Sequence, residues 1–241
     1  MIELTYVAER GAAAQAASLT DLAGRGGVLV LAPHPDDEAL AMGGAIAAAA
    51  QAGRAVTVAV GTDGGRSHPN SQTHRHQALT ALRRAEVEAA VDILTAGSGT
   101  TIWLGYPDMA APESDDEYRA VSRRLTPFIL RATAIWTTWN GDPHPDHQRV
   151  WRLGRWLAAV HGIGRFFSCP LWGRVQTPAE DALPDGMRRF ETGPFRRLKA
   201  RAVAAHASQM TRLIADDPTG FRMSAELAEH FVATDEIFIA S

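Results

Sequence analysis

Short unbroken apolar runs alternate along this chain with longer stretches in which apolar residues recur at helical spacing. Val28-Leu29-Val30-Leu31-Ala32 is the first such run, the pattern of a strand buried on both faces. Further strands are predicted over 55–60, 101–105 and 134–138. Helices are predicted over about 10–23, 39–51, 73–94, 116–131 and 148–160, with Gly24 to Gly27, Gly53 and Gly61 to Gly65 as punctuation. Strand and helix alternating at this rhythm imply βαβ units with right-handed crossovers. The expected fold is therefore α/β and Rossmann-like, a mostly parallel sheet flanked by helices on both faces. After Phe166 the rhythm loosens around Pro170, Pro178, Pro184 and Pro194, leaving room for an antiparallel strand or two. Two or three helices and a strand-like run over 236–240 follow. One domain over 1–241 is expected, with 1–27 as a helical N-terminal extension, and there is no internal repeat or low-complexity linker.

Composition narrows the class. Lys plus Arg number 24 and Asp plus Glu 27, a net charge of -3, and no basic run occurs. That balance argues against nucleic acid as a partner. Cys169 is the single cysteine, which excludes a disulfide framework or a Cys-based zinc site within one chain. Any metal must therefore be held by His, Asp and Glu. The first residues lack the charged-then-apolar order of a secretory leader, and the small-apolar run over 45–50 is too short for a bilayer. A cytoplasmic protein without membrane insertion is expected; a homo-oligomer is compatible with the sequence.

In a parallel α/β sheet, ligands bind beyond the carboxyl ends of the strands. Pro33-His34-Pro35-Asp36-Asp37-Glu38 follows the first predicted strand, and Thr62-Asp63-Gly64-Gly65-Arg66-Ser67-His68 the second. Gly105-Tyr106-Pro107-Asp108 follows the third, and a stretch from Trp139 through Asp142, His144 and Asp146 to His147 the fourth. Ionisable groups thus gather at four strand ends on one edge. His34 and Asp37, three apart at a helix entrance, can hold one cation, with a third ligand from the His144/His147 cluster. A His-Asp-His set with an open position suits a catalytic zinc ion, because the vacancy holds water, whose pKa zinc lowers to about 7. Asp36 is then free to act as general base, and two adjacent carboxylates repel unless a cation neutralises them.

The ordered pair His34-Pro35-Asp36-Asp37-Glu38 and His144-Pro145-Asp146-His147 resembles the LmbE/PIG-L-like zinc-dependent deacetylases, which hydrolyse the N-acetyl group of N-acetylglucosamine units in varied conjugates. The likeness extends to Thr62-Asp63-Gly64-Gly65 with Ser67-His68, to Arg83-Arg84-Ala85-Glu86, to Leu104 to Asp108 and to His206-Ala207-Ser208-Gln209, covering roughly residues 28–210. It implies one zinc ion per chain, or another divalent metal, on His34, Asp37 and His147. It implies Asp36 as general base on the metal-bound water. His144, oriented by Asp146, would act as a cation at the oxyanion or as acid toward the leaving amine. Arg83 and Asp108 would hold sugar hydroxyls. The implied substrate is a small molecule or glycoconjugate with an N-acetylated amino sugar, yielding acetate and a free amine. Some relatives carry Tyr two residues before the first His of the second motif, where this chain has Asp142.

Other readings stand beside this one. The amide could belong to another sugar conjugate or a secondary metabolite, or the fold could bind metal and sugar without turnover. Two His and a carboxylate also make a non-haem iron triad, but those oxygenases usually use all-β scaffolds. His74 and His76 read as a solvated helix start, His161 and His230 as structural, and His206 as a helix-face or cleft residue. Gly43-Gly44 and Gly64-Gly65 read as turn or close-packing glycines, and Trp139 and Trp172 lie near site loops where a ring could stack on a sugar. Substrate choice would rest with the loops 66–72, 109–116 and 170–193.

Overall fold

The computed structural model describes residues 2–178 and 186–240. Its strands are β1 (Gln15–Ala16), β2 (Gly27–Ala32), β3 (Val56–Thr62), β4 (Thr100–Tyr106), β5 (Ala132–Thr138), β6 (Arg165–Cys169), β7 (Met187–Phe190) and β8 (Glu236–Ala240). They form one sheet in the order β1-β7-β8-β6-β5-β2-β3-β4. Only β8 is reversed, lying antiparallel to both β6 and β7; the remaining pairings are parallel. The helices are α1 (Tyr6–Ala12), α2 (Leu19–Ala23), α3 (Asp37–Gln51), α4 (His76–Thr95), α5 (Asp115–Ile129), α6 (Pro145–His161), α7 (Arg196–Ala205), α8 (Ala207–Met210) and α9 (Ala225–Ala233). This is the α/β, mostly parallel architecture that the alternating pattern predicts.

The side-chain period of two sorts β2 between the two helical layers. Val28, Val30 and Ala32 pack with α3, α4 and α7, whereas Leu29 and Leu31 pack with α5 and α6. Helix α3 is buried at every residue from Asp37 to Ala49. Its alanines keep the cylinder narrow enough to lie against the sheet under α7 and β8. Gly44 belongs to this packing, since a Cβ there would stand 2.7 Å from Thr192 Cγ2. Below it, Glu236 accepts the backbone N–H groups of Gly44 and Ala45 at 2.7 and 2.9 Å, and Lys199 Nζ approaches Glu236 at 2.7 Å with both side chains fully buried.

The N-terminal region differs from the single helix expected over 10–23. It is α1, then β1 paired with β7, then α2. Ser18 and Asp21 form a reciprocal capping box that starts a fresh helix, an arrangement that outweighs the high alanine propensity around it. The run from Arg165 is β6, parallel to β5, which the loosening pattern did not reveal. In the segment around Pro170 to Pro194, where an antiparallel strand was expected, the described strand is β7, parallel to β1; the run over 236–240 is β8, the reversed strand. Pro184 and part of the 170–193 loop lie outside the described residues.

The chain proceeds from β2 outward through β3 to β4, then returns to place β5 on the other side of β2. That reversal opens a crevice at the carboxyl ends of β2 and β5, where such sheets take ligands. Among the described residues, no helix is long and apolar enough to cross a membrane.

Candidate active site

The residues after β2, β3, β4 and β5 meet in one cavity of about 240 Å³, with His34, Asp36, Asp37, Arg83, Asp108 and His144 in its lining. Most of these are nearly inaccessible: Asp36 is 6 % exposed, Asp37 2 %, and His147 behind them 0 %. Asp37 Oδ2 stands 3.3 Å from His34 Nδ1 and 3.4 Å from His147 Nε2. Ligands about 2.0 Å from a tetrahedral ion lie about 3.3 Å apart, so Asp37 stands at such a spacing from each of the two imidazoles.

The far nitrogens of the two rings support the same set. His147 Nδ1 lies 2.8 Å from Asp142 Oδ2, and Asp142 also accepts the N–H groups of Leu171 and Gly173 at 3.1 and 2.7 Å. With its acceptor sites so filled, Asp142 takes the ring's N–H, and His147 Nε2 is left buried without a hydrogen-bond partner among the described residues. His34 Nε2 lies 3.2 Å from Asp146 Oδ2 and 3.5 Å from Asp108 Oδ1. Each imidazole thus turns one nitrogen to a carboxylate and the other toward Asp37, the arrangement that orients metal-binding histidines. Donor atoms of His34, His144 and His147 also lie within 4.8 Å of one another, as do those of His34, Asp108 and Asp146; the second trio is already joined by hydrogen bonding.

Charge tells the same story. Burial alone would lower the pKa of His34, but Asp108, Asp146 and Asp37 raise it well above the usual imidazole value. Burial opposes His147 likewise, and Asp37 and Asp142 still raise it to about 9. Carboxylates in surplus draw protons onto both rings. A divalent cation would displace those protons, since a metal needs the ring nitrogens deprotonated.

Asp36 has a φ of 139°, unusual for a residue with a side chain. The peptide between Pro35 and Asp36 is gripped at both poles: Arg83 Nη2 donates to the Pro35 carbonyl at 2.7 Å, and the Asp36 N–H donates to Glu38 Oε2 at 3.1 Å. Glu38 is held in turn by His206 Nε2 at 2.9 Å. Strain of about 1–3 kcal/mol persists only where neighbours over-determine it, and here they do. Burial raises the Asp36 carboxyl to about 6 against the pull of Arg83, whose Nη2 lies 3.3 Å away.

The geometry bears on two expected roles. Burial and then His34 and His147 push the His144 pKa down to about 4, against the cationic ring expected there. Its Nδ1 accepts the backbone N–H of Asp146 at 3.2 Å, so its hydrogen sits on Nε2 and can be donated. The Asp146 carboxylate faces His34 and accepts the N–H groups of Met109 and Ala111 at 2.8 and 3.0 Å; only the backbone of Asp146 reaches His144. Arg83 does line the cavity, yet it donates to Gly64, Pro35 and Asp36. Asp108 keeps one oxygen near His34 and accepts the Arg66 N–H at 3.0 Å.

Sequence reasoning passed over Asp142, noted there only as a missing Tyr. Its place five residues before a metal-type His was the available signal. Ser67, Gln209, Trp172, Phe221 and Met109 also line the cavity. Gln209 is fully buried, and its Oε1 has no hydrogen-bond partner among the described residues. Trp139 instead packs in the core with Val7, Ile237 and Ile239. His76 is solvated as expected, with Asp63 at 3.2 Å, and His161 bonds to Ser122.

The chain is similar to known proteins. The chain is 32% identical over 143 residues to diacetylchitobiose deacetylase of Thermococcus kodakarensis, covering 58% of this chain and 51% of that protein. It is 31% identical over 141 residues to the probable N-acetyl-alpha-D-glucosaminyl L-malate deacetylase 2 of Bacillus cereus, covering 57% and 61%. It therefore spans only about half to three-fifths of the curated relatives it matches. The fold is similar to that of the conserved protein TT1542 from Thermus thermophilus, with a TM-score of 0.66, 22% identity and coverage of 89% and 94%. Residues 29–158, which carry both motifs, match the PIG-L model described as GlcNAc-PI de-N-acetylase, and the chain belongs to that family.

Proposed function

We propose that this chain is a zinc-dependent hydrolase that removes the N-acetyl group from an N-acetylglucosamine-containing substrate, releasing acetate and a free amine. The observation that carries this reading is the Asp36 carboxylate, fixed on a gripped peptide in the same cavity as His34 and Asp37. Both curated relatives bear names of deacetylases acting on N-acetylated sugars.

His34, Asp37 and His147 would hold the ion, which when bound supplies a Lewis acid for the amide carbonyl and acidifies a coordinated water. Asp36 takes the proton of the attacking water and returns it to the departing amine; a carboxyl drawn toward neutrality suits both transfers. Arg83 keeps that carboxylate aimed by holding Pro35 and Asp36 together. His144 donates its Nε2 hydrogen to the carbonyl oxygen as charge grows there, and being neutral it needs no prior protonation. Asp108 and the unpartnered Oε1 of Gln209 offer acceptors to sugar hydroxyls. Trp172 and Phe221, with ring centroids 6.0 Å apart, form an apolar wall against which a sugar face can lie.

A panel of N-acetylglucosamine conjugates, set against N-acetylated amino acids and plain alkyl amides, tests the substrate class through acetate release by zinc-loaded protein. Release confined to the sugar conjugates is expected. Release from the amino acids or alkyl amides alone would replace the sugar reading with that of a general amidase.

A further inference from the structure

A second cavity lies behind the 3-10 turn Trp172–Arg174. Trp172 lines the catalytic cavity, whereas Arg174, two residues on, lines a separate one of about 300 Å³. The Arg174 side chain is buried, and residue exposure is only 4 %. Its Nη2 donates to Thr234 Oγ1 at 2.7 Å and lies 3.2 Å from His230 Nε2, and the Phe231 ring sits 5.3 Å from the guanidinium carbon. Its Nε has no hydrogen-bond partner among the described residues.

None of these neighbours carries negative charge. Burial and then Arg174 itself push His230 down to about 4, so that ring is neutral. The carboxylates whose fields reach Arg174 are Glu236, Asp142 and Asp235. Each is bonded elsewhere: Glu236 to Lys199, Asp142 to His147, and Asp235 to Arg189 at 2.6 Å. A buried guanidinium without a counter-charge is costly, and an anion relieves that cost. Arg189 and Arg196 line the same cavity, and Arg196 is exposed with no ion pair among the described residues. Arg189 is taken up by Asp235 at 2.6 Å and Glu191 at 3.4 Å, which leaves the guanidinium groups of Arg174 and Arg196 to face an anion, two positive charges for a dianion. Leu4, Ala8 and Ile237 supply an apolar side to the same space.

We propose that this cavity is a binding site for a dianionic phosphate group, inorganic phosphate or a phosphomonoester, gripped by Arg174 and Arg196. Guanidinium groups match phosphate oxygens through paired, charge-assisted hydrogen bonds. The apolar side would take the carbon portion of a phosphomonoester. The site is separate from the deacetylase reading and stands whether or not that reading holds.

The test is calorimetric titration with inorganic phosphate, and thermal unfolding in phosphate against chloride at matched ionic strength. The protein is first stripped of metal by chelation and dialysis, so that phosphate cannot bind an ion in the catalytic cavity. Saturable binding and a raised Tm are expected. Arg196→Gln, at an exposed position, should weaken binding about tenfold, and Arg174→Gln should abolish it; if the latter fails to fold, Arg196→Gln decides alone. Asp36→Asn should bind phosphate as the parent does. The proposal is overturned by an absence of saturable binding, by unchanged affinity in Arg196→Gln, by lost affinity in Asp36→Asn, or by a response to succinate without one to phosphate.

Discussion

Helix α3 touches two buried ionic clusters that differ in charge balance. Against its middle, Glu236 meets one ammonium, Lys199, and spends its remaining acceptor capacity on two backbone N–H groups. At its N-terminus, the carboxylates of Asp37, Asp108, Asp142 and Asp146 surround the two imidazoles of His34 and His147. The first cluster is closed and fastens β8 and α7 to the helix. The second leaves His147 Nε2 without a hydrogen-bond partner among the described residues and pulls protons onto rings that would otherwise shed them. Balance goes with scaffold here, and imbalance with the candidate metal site. The cavity at Arg174 is the same lesson with the sign reversed.

Substitutions should separate the two clusters. The largest effect is expected at Asp36→Asn, which should lower kcat by about a thousandfold with metal content unchanged, read by acetate release alongside elemental analysis. Unchanged turnover would remove Asp36 from the mechanism. Lys199→Met leaves Glu236 as a buried charge without its cation and should cost about 3 kcal/mol of stability in chemical denaturation, while metal affinity stays at the parental value. A variant as stable as the parent would show that the closed cluster does not fasten the fold. Asp142→Asn should weaken metal binding about 10- to 100-fold, measured by competition with a chromogenic chelator, because His147 loses the acceptor that fixes its ring. Equal affinity would show that the Asp142 contact does not support His147 as a metal ligand.

The smallest effect concerns the loop that leads into α4. Asp216 accepts the N–H groups of Gln72 and Thr73 and the hydroxyls of Ser71 and Thr73, and these bonds hold its pKa well below the usual carboxylate range. A carboxylate depressed in the folded state stabilises it above the unfolded pKa of about 3.9 and loses that contribution as pH falls through the folded value. Amide exchange at Gln72 and Thr73, corrected for intrinsic rates, should therefore show protection that fades only in strong acid. Asp216→Asn should lack that fading, and a parental profile in this variant would assign the loop to other contacts.

Much of the fold was legible because its central strands are short apolar runs with helices at regular spacing between them. Val28 to Ala32 could be read as buried on both faces, and it is. The sheet's other half was harder to see. Strand β7 contains Arg188 and Arg189 and finds its partners in β1 and β8, far apart in sequence. Nothing local in Gln15-Ala16 distinguishes a strand from the alanine-rich helix around it, although Ser18 and Asp21 carried the sign of a new start. At the site, the two motifs brought His34, Asp36, Asp37, His144, Asp146 and His147 together as their strand ends require. Orientation was not legible: which way the Asp146 carboxylate turns, and that His144 accepts a backbone N–H, depend on packing. Asp142 shows how a residue judged by what it replaced can matter for what it holds.

Acetate release from the best N-acetylglucosamine conjugate, followed through metal removal and restoration, tests the central claim most directly. Release should stop when the ion is dialysed away against a chelator and return on adding one equivalent of zinc per chain. Release that persists at full rate in protein shown by elemental analysis to be free of metal would contradict it.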